Sequence, residues 1–222
     1  MLYIVPTPIG NLGDITHRAL DVLSEVDLIL AEDTRVTKRL LTKYDINTSL
    51  KPYHSHNEHQ TTTNVIERLQ GGATIALVSD AGMPGISDPG FMLVRACREA
   101  EEEIVVLPGP TAFVTALVGS GFPCDRFFFE GFLPHKKGRL SRWKFLASFP
   151  HTLVLYESPY RLLKCLDEIV SFIGIDRKIC VVRELTKIHA QYHYGSAQEL
   201  HDWFESHPEK VKGEIVIIIS GE

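Results

Sequence analysis

The residues with the clearest capacity for chemistry lie in one loop rich in glycine and proline. Asp80 and Asp88 occur within residues 79–90, directly after the apolar run Ile75–Val78. The loop also contains three glycines and two prolines, at Gly82, Pro84, Gly85, Pro89 and Gly90. This composition excludes a regular helix or strand and lets a ligand approach the backbone closely. Because ligands bind at strand ends in open α/β sheets, we expect a small-molecule site here rather than a long structural turn.

A second polar group follows the short apolar run at residues 27–31. Glu32, Asp33, Thr34 and Arg35 stand side by side at its end. These polar side chains could bind a polar substrate. Alternatively, Asp33 or Thr34 caps the next helix while Glu32 and Arg35 form an ion pair at helical spacing. The sequence leaves both interpretations open.

Three histidines occupy a third polar segment, at His54, His56 and His59. Their spacing could serve a metal ion, but no cluster of acidic or cysteine ligands elsewhere completes a coordination shell. We therefore expect a polar loop that borders a substrate cleft, and no metal site.

Two further loops resemble the first in composition. Residues 6–13 and 108–112 are each rich in proline and glycine, and each lies between an apolar run and a helix. Loops of this kind at neighbouring strand ends can form the walls of one pocket. Neither the P-loop pattern nor the dinucleotide-binding GxGxxG pattern occurs, which argues against phosphate cradling of those two kinds.

The elements that position these loops alternate between strand and helix, which predicts an α/β fold with a parallel sheet in the first half. The predicted strands are residues 2–5, 27–31, 50–53, 75–78 and 104–107, the last of them buried. Residues 121–134 are predicted as a domain boundary, giving domains 1–121 and 122–222. In the second α/β half we predict strands at 153–156, 179–183 and 214–220, and helices at 159–173 and 199–205.

Composition and charge restrict the class of protein. The 222 residues are 44% hydrophobic and 23% charged, as in an ordinary soluble globular protein, and the net charge is −5. The four cysteines are widely spaced, which predicts reduced thiols in a cytoplasmic protein. The apolar start is too short for a signal peptide or membrane span.

Two basic clusters could contact nucleic acid despite the negative net charge. The first comprises Arg35, Lys38, Arg39 and Lys43, for which a solvated helix face is the preferred interpretation. The second is denser and follows the predicted boundary, with members His135, Lys136, Lys137, Arg139, Arg142 and Lys144. We favour the second cluster as the surface for RNA.

Eight segments together resemble one family over essentially the whole chain. They are YIVPTPIGNLGDIT at residues 3–16, AEDTR at 31–35, ALVSDAGMPGISDPG at 76–90, LPGPTA at 107–112, FFEGFLP at 128–134, YESPYR at 156–161, RELTK at 183–187 and KGEIVIII at 212–219. The chain thus resembles the ribosomal RNA small-subunit methyltransferase I proteins, within the tetrapyrrole-methylase superfamily.

The resemblance implies two α/β domains of the class III methyltransferase type, with S-adenosylmethionine (SAM) in a cleft between them and a homodimer as the assembly. It also implies methyl transfer to the ribose 2′-hydroxyl of a cytidine in small-subunit (16S) rRNA. The expected partner is that rRNA or the assembled small subunit, with no membrane and no DNA.

The residues expected to carry these roles form three sets. The catalytic candidates, as bases or as charges that favour an alkoxide, are Asp14, Glu32, Arg35 and Lys187, with Asp33 and Glu157 also considered. The cofactor candidates are Pro8, Asp80, Ala81, Ile86, Thr111, Ala112, Leu185 and Glu214. The RNA-binding candidates are Arg35, Lys136, Lys137, Arg139, Arg142 and Arg161.

The chain departs from the family pattern in three places. Met83 stands where a small hydroxyl residue is expected, and Ala190 stands where a glutamate is expected. The sequence ends at Glu222 without the basic extension that many members carry, which gives the segment from Lys136 to Lys144 more weight in RNA binding.

Two alternative functions remain open. One is SAM-dependent methylation of a tetrapyrrole precursor or of a protein side chain. The other is a non-catalytic module that binds SAM or RNA. The AEDTR and YESPYR segments and the basic cluster favour the rRNA enzyme over the first alternative. The many polar residues expected in the cleft argue against the second.

Overall fold

The computed structural model describes residues 1–221. The chain divides into two compact units, Met1–Thr111 and the part from Ala112 onward. The predicted boundary at 121/122 lies ten residues later than this division, because helix α5 (Ala112–Ser120) packs on strands of the second unit. Among the described residues, no helix has the length and apolar character that a membrane crossing needs.

The first unit is a five-stranded sheet with helices on both faces. Its strands are β1 (Leu2–Ile4), β2 (Leu28–Ala31), β3 (Leu50–Pro52), β4 (Ile75–Val78) and β5 (Ile104–Val106). Its helices are α1 (His17–Glu25), α2 (Thr34–Lys43), α3 (Glu58–Gln70) and α4 (Phe91–Glu99). The strand order is β3-β2-β4-β1-β5 and all pairs are parallel, which confirms the predicted parallel sheet.

The central strand β4 shows how the two faces of this sheet are filled. Ile75 and Leu77 pack with α3 and α4, whereas Ala76 and Val78 pack with α1 and α2. All four residues are buried, because successive side chains of a strand point to opposite faces and both faces carry helices. The carboxyl ends of β1, β2 and β4 therefore meet at one edge, where the polar loops begin.

One strand of this sheet differs from its prediction. Residues 104–107 were expected to be a buried strand, but β5 lies at the sheet edge and Val106 is 55% exposed. An apolar run indicates a strand without indicating its position in the sheet.

The second unit is a mixed five-stranded sheet. Its strands are β6 (Phe127–Phe132), β7 (Thr152–Glu157), β8 (Lys178–Arg183), β9 (Gln191–Ser196) and β10 (Ile215–Ile219). Its other helices are α6 (Arg139–Ala147), α7 (Leu162–Phe172) and α8 (Ala197–Ser206). The order is β6-β7-β10-β8-β9, in which only β6 and β7 pair in parallel.

Two elements of this unit were missed in the sequence. Much of the predicted boundary at 121–134 is strand β6, because its phenylalanines pair with β7 instead of lying in a linker. Strand β9, with the sequence QYHYGS, has no apolar run and forms through its backbone ladder with β8. Edge strands of this kind take their conformation from the neighbouring strand rather than from local preference.

A buried ion-pair network connects α6, α7 and the end of β7. Arg139, only 4% exposed, donates from Nη2 to Glu168 Oε2 at 2.6 Å and to Glu157 Oε2 at 3.2 Å. Trp143 Nε1 also donates to Glu168, at 2.9 Å, and Arg161 Nε donates to Glu157 Oε1 at 2.7 Å. Glu157 has a fully buried side chain, and its charge is balanced by these two guanidinium groups together with a hydrogen bond from Ser158 N.

We expect Arg139→Leu to lower the free energy of unfolding by about 3 kcal/mol or more, because it leaves buried carboxylates without their main counter-charge. Urea denaturation with a shared m-value measures this change. Lys137→Ala, at an exposed position two residues earlier, is the matched control and should change stability by less than about 0.5 kcal/mol. Equal stability of Arg139→Leu and the control would contradict the prediction.

Candidate functional site

The loops after β1 and β4 are joined by backbone hydrogen bonds at their start. Thr7 N donates to Gly82 O and Gly82 N donates to Thr7 O, both at 3.0 Å, while Thr7 Oγ1 donates to Ser79 O at 3.0 Å. Gly82 has a φ of +80°, and a Cβ there would lie 3.2 Å from Ile9 Cγ2. A side chain is therefore disfavoured at the point where the two loops cross.

The third proline-rich loop also approaches this crossing. A Cβ on Gly109 would lie 2.8 Å from Pro6 Cβ, so the glycine permits close packing of the two loops. Thr111 Oγ1 donates to Gly109 O at 3.2 Å. The loops after β1 and β5 are therefore in close contact within the first unit.

Three carboxylates, Glu32, Asp80 and Asp88, gather at the ends of β2 and β4; we call them the acidic cluster. Burial, followed by the charge of Asp80, raises the pKa of Glu32. Burial also raises the pKa of Asp80, although Asp33 N donates to Asp80 Oδ1 at 2.9 Å and favours the charged form. Burial and the charges of Glu32 and Asp80 raise the pKa of Asp88 to about 7. The cluster is an environment that favours a positively charged ligand.

Arg35 is paired with Asp33, and its charge only partly offsets the acidic cluster, by lowering the pKa of Asp80. Its Nη2 lies 2.6 Å from Asp33 Oδ2, and the Arg35 side chain is 86% exposed. Asp33 also caps α2 by accepting from Arg35 N, and these hydrogen bonds lower the pKa of Asp33 to about 2. The interpretation in which Asp33 caps α2 is confirmed, but Arg35 forms its ion pair with Asp33 instead of Glu32.

A cavity of about 280 Å³ opens beside Asp80. Its walls come from the loop after β1, from α2 and from the start of the loop after β4, through Thr7, Pro8, Leu12, Val36, Thr37, Arg39, Leu40, Ser79 and Asp80. The loop at 108–112, which we expected to form a wall, does not line this cavity. Helix α2 takes that place, because its exposed residue Val36 and buried residue Leu40 face the loop after β1.

The cofactor candidates are distributed over both units. Pro8 and Asp80 line the cavity, whereas Ala81 and Ile86 are exposed in the loop that follows β4. Thr111 ends the first unit, and the second unit contains Ala112, Leu185 and Glu214. Leu185 is 8% exposed, and the backbone N–H and C=O of Glu214 are both bonded to Glu184, at 3.1 and 2.9 Å. The backbone N–H of Glu214 is therefore already used within the protein.

Lys187 lies in a constrained turn of the second unit. Its Nζ lies 2.9 Å from Glu184 Oε1 and 3.4 Å from Glu214 Oε2. Burial alone would lower the pKa of Lys187, but the bond to Glu184 and the two carboxylate charges raise it. Lys187 is consequently a cation at neutral pH and cannot accept a proton. Glu184 and Thr186 have φ values of +52° and +61°, so this turn is held in a conformation that non-glycine residues rarely adopt.

The arginines predicted to bind RNA in the second unit are engaged within it. Arg139 is buried in the ion-pair network, and Arg161 is paired with Glu157. Arg142 pairs with Glu130 and lies over the ring of Phe145, 4.5 Å from its centroid. The expectation that Arg139 faces a partner is therefore wrong, because α6 directs it into the core. Lys136 and Lys137 remain exposed, as do the cations of the first cluster, Lys38, Arg39 and Lys43.

The departures at Met83 and Ala190 have different surroundings. Met83 is partly buried and packs against the core cluster that contains Leu77, so its flexible side chain fills space beneath the loop. Ala190 is exposed, and nothing in its surroundings explains the missing glutamate.

The remaining predicted residues lie outside the cavity and the acidic cluster. Asp14 is exposed at the end of a short 3-10 helix, Leu12–Asp14. His54 and Asn57 close a turn through a bond from His54 N to Asn57 Oδ1 at 2.8 Å. Across residues 1–221, no three histidine, cysteine, aspartate or glutamate side chains meet in an arrangement that could hold a metal ion.

Two residues of the site were missed in the sequence. Asp88 was noticed only as the second aspartate of its loop, and its proximity to Glu32 depends on the sheet order. Thr37 lies within a basic helix and gave no sequence signal, yet it lines the cavity and is 3% exposed.

We expect Asp88→Asn to flatten the pH dependence of stability. A carboxyl whose pKa is raised on folding contributes stability below about pH 4 that is lost as the pH rises through about 7. At pH 8 the variant should therefore be more stable than the parent by about 1–2 kcal/mol, after allowance for solvent screening. Urea denaturation between pH 5 and 8 measures the difference, with Asp21→Asn, an exposed carboxyl on α1, as the control. A pH profile shared by the parent and Asp88→Asn would contradict the assignment.

Comparison with solved structures identifies the architecture. The methyltransferase CobJ superposes with a TM-score of 0.73 at 19% identity, covering 99% of this chain and 93% of that one. The uroporphyrin-III C-methyltransferase of Thermus thermophilus, solved in complex with S-adenosylhomocysteine, gives a TM-score of 0.69 at 17% identity, covering 99% and 96%. These likenesses confirm the predicted fold class.

Comparison of sequences identifies the family. The sequence model described as Tetrapyrrole (Corrin/Porphyrin) Methylases matches residues 1–201. A protein of Escherichia coli O157:H7 named ribosomal RNA small subunit methyltransferase I is 52% identical over 99% of this chain and 77% of its own length. A protein of the same name from Thermotoga maritima is 46% identical over 100% of this chain and 98% of its own. The chain therefore belongs to the tetrapyrrole (corrin/porphyrin) methylase family, as the resemblance of its motifs implied.

Proposed function

We propose that this protein is a SAM-dependent methyltransferase that modifies small-subunit rRNA, at the ribose 2′-hydroxyl of a cytidine. The observation that carries the proposal is the 52% identity, over 99% of the chain, to a relative named for rRNA methylation. The solved tetrapyrrole methylases share the fold at below 20% identity and do not indicate the substrate. We also propose that the protein forms a homodimer and acts in the cytoplasm.

The acidic cluster fits the charge of the cofactor. SAM carries a sulfonium and an ammonium group as well as a carboxylate, and when bound it supplies an electrophilic methyl group. Glu32, Asp80 and Asp88 are gathered with raised pKa values, and Arg35 is bound to Asp33 instead. A cation placed near them would favour their ionised forms.

The cofactor set of the proposal keeps the predicted residues. In the first unit Asp80 supplies a carboxylate, Pro8 an apolar contact, and Ala81 and Ile86 exposed backbone of the loop after β4. Thr111, Ala112, Leu185 and Glu214 complete the set, although the N–H of Glu214 already donates to Glu184. Gly82, with φ +80°, gives this loop a backbone that a ligand can approach closely.

The catalytic candidates differ in their burial and in the charges around them. Glu32 is the best placed to receive a proton, because burial and the charge of Asp80 raise its pKa. Lys187, held as a cation by two carboxylates, can contribute only charge. Asp14 and Arg35 are exposed and remain proposed contacts to RNA. Alignment of the 2′-oxygen with the methyl group accounts for much of the rate enhancement in this proposal.

The function is tested by incubating the full chain with SAM labelled in its methyl group and with small ribosomal subunits that lack the modification. We expect label in the rRNA, in a dinucleotide that resists alkaline hydrolysis, because a methylated 2′-oxygen cannot attack the neighbouring phosphodiester. Label in an alkali-sensitive product would place the methyl group on a base. Label only in added uroporphyrinogen or in protein would establish one of the alternative functions.

We expect Asp80→Asn to weaken SAM binding about tenfold or more, because it removes the charge of the central carboxylate. The loss for S-adenosylhomocysteine should be smaller, because that product lacks the sulfonium charge. Isothermal titration calorimetry with both ligands measures the two constants, and Asp21→Asn controls for the change in net charge. Unchanged affinity for SAM would remove Asp80 from the cofactor site.

A further inference from the structure

The cavity beside Asp80 has the dimensions and surface of a nucleoside site. Its volume of about 280 Å³ is close to that of small-molecule sites. Leu12 and Val36 are 44% and 38% exposed and lie on walls from different elements, with Pro8 and Leu40 beside them. Apolar side chains of this kind receive the faces of a base that has left its stack.

Hydrogen bonds within the protein hold the walls of the cavity in place. Tyr44 Oη, just beyond the end of α2, donates to Leu12 O at 2.7 Å and ties the loop after β1 to the helix. Thr7 and Ser79 are fixed by the bonds at the loop crossing. The cavity is thus largely preformed, as small-molecule sites commonly are.

Thr37 supplies a polar group that the fold itself does not use. Its Oγ1 is buried and has no hydrogen-bond partner within residues 1–221, although Thr37 lines the cavity. A buried hydroxyl without a partner destabilises the folded state, so such groups call for an explanation. A ligand in the cavity would provide the missing partner once the Thr37 side chain rotates its hydroxyl toward the cavity.

The charge of the cavity rim distinguishes its ligand from the cofactor. Every charged residue of α2 is basic, and Arg39, which lines the cavity, is exposed and forms no ion pair in the described part of the chain. SAM has a net positive charge and is disfavoured by this rim, whereas a phosphodiester is attracted. Asp80 belongs both to the cavity and to the acidic cluster, so the two ligands would meet at that residue.

We propose that this cavity receives the target nucleotide of the RNA, turned out of its strand, with the base between Leu12 and Val36 and the phosphate on Arg39. Thr37 then hydrogen-bonds the nucleoside. This inference rests on the proposed function for the identity of the RNA and adds the place where one nucleotide of it binds. It also assigns phosphate binding to Lys38, Arg39 and Lys43 of the first basic cluster, which form no ion pair within residues 1–221, in place of Arg139 and Arg142.

Four variants test the assignment in the full chain. Thr37→Val removes the hydroxyl without changing the shape of the side chain, and Thr42→Val makes the same change on the same helix outside the cavity. Arg39→Gln removes the rim charge, and Arg98→Gln removes an equal charge on α4, on the opposite face of the sheet. The measurements are KM and kcat for small subunits, the affinity for S-adenosylhomocysteine, and the melting temperature.

We expect Arg39→Gln to raise KM for small subunits about tenfold, and to reduce the dependence of log K on log salt by about one unit. Thr37→Val should lower kcat/KM about tenfold with a melting temperature equal to or above that of the parent. Affinity for S-adenosylhomocysteine should stay within about twofold in both, and the two control variants should match the parent. Weaker binding of S-adenosylhomocysteine by Thr37→Val would give the cavity to the cofactor and overturn the proposal, as would unchanged kinetics in both cavity variants.

A binding measurement separates failure of this proposal from failure of the proposed function. Cytidine 5′-monophosphate should bind the parent in the millimolar range in saturation-transfer NMR, and should bind Thr37→Val and Arg39→Gln several-fold more weakly. If the parent transferred no methyl group to rRNA yet bound the nucleotide in this pattern, the result would contradict the proposed function and support the nucleotide site. Absence of binding, or equal binding by all variants, would overturn the site whatever the activity.

Discussion

The paired hydrogen bonds between Thr7 and Gly82 are the constraint on which the site of the first unit depends. Parallel strands bring their carboxyl ends to one edge, but the long loops that follow could adopt many conformations. The two backbone bonds, and the bond from the Thr7 hydroxyl to Ser79 O, fix the loop after β4 against the loop after β1. Asp80 and the wall of the cavity follow directly from that crossing.

The local charges at this edge are opposite on two adjacent elements. The acidic cluster has raised pKa values because its carboxylates are partly buried near one another. Helix α2 carries only basic charges, and Asp33 both caps the helix and retains Arg35. One region thus favours a cation and its neighbour favours a polyanion, although the net charge of the chain is −5. This arrangement agrees with the proposed transfer of a methyl group from SAM to RNA.

The two basic clusters show why local composition is a poor guide to a binding surface. The cluster near Lys136 is the denser one in the sequence, and it was favoured for RNA. In the structure its arginines neutralise Glu130, Glu157 and Glu168, which lie elsewhere in the chain. In the sparser cluster on α2, Lys38 and Arg39 have no such partners among residues 1–221. Whether a cation is available to a partner depends on which carboxylates the fold places beside it.

The sequence alone determined the parallel sheet of the first unit, the strand-end loops and the family, because apolar runs, glycines, prolines and ordered motifs are local signals. Tertiary structure decided the edge position of β5, the existence of β9, the burial of Arg139 and the unpaired hydroxyl of Thr37. Each of these depends on a neighbour distant in the chain, through a ladder of backbone bonds, a buried counter-charge or the absence of an acceptor, and no local pattern encodes such a neighbour.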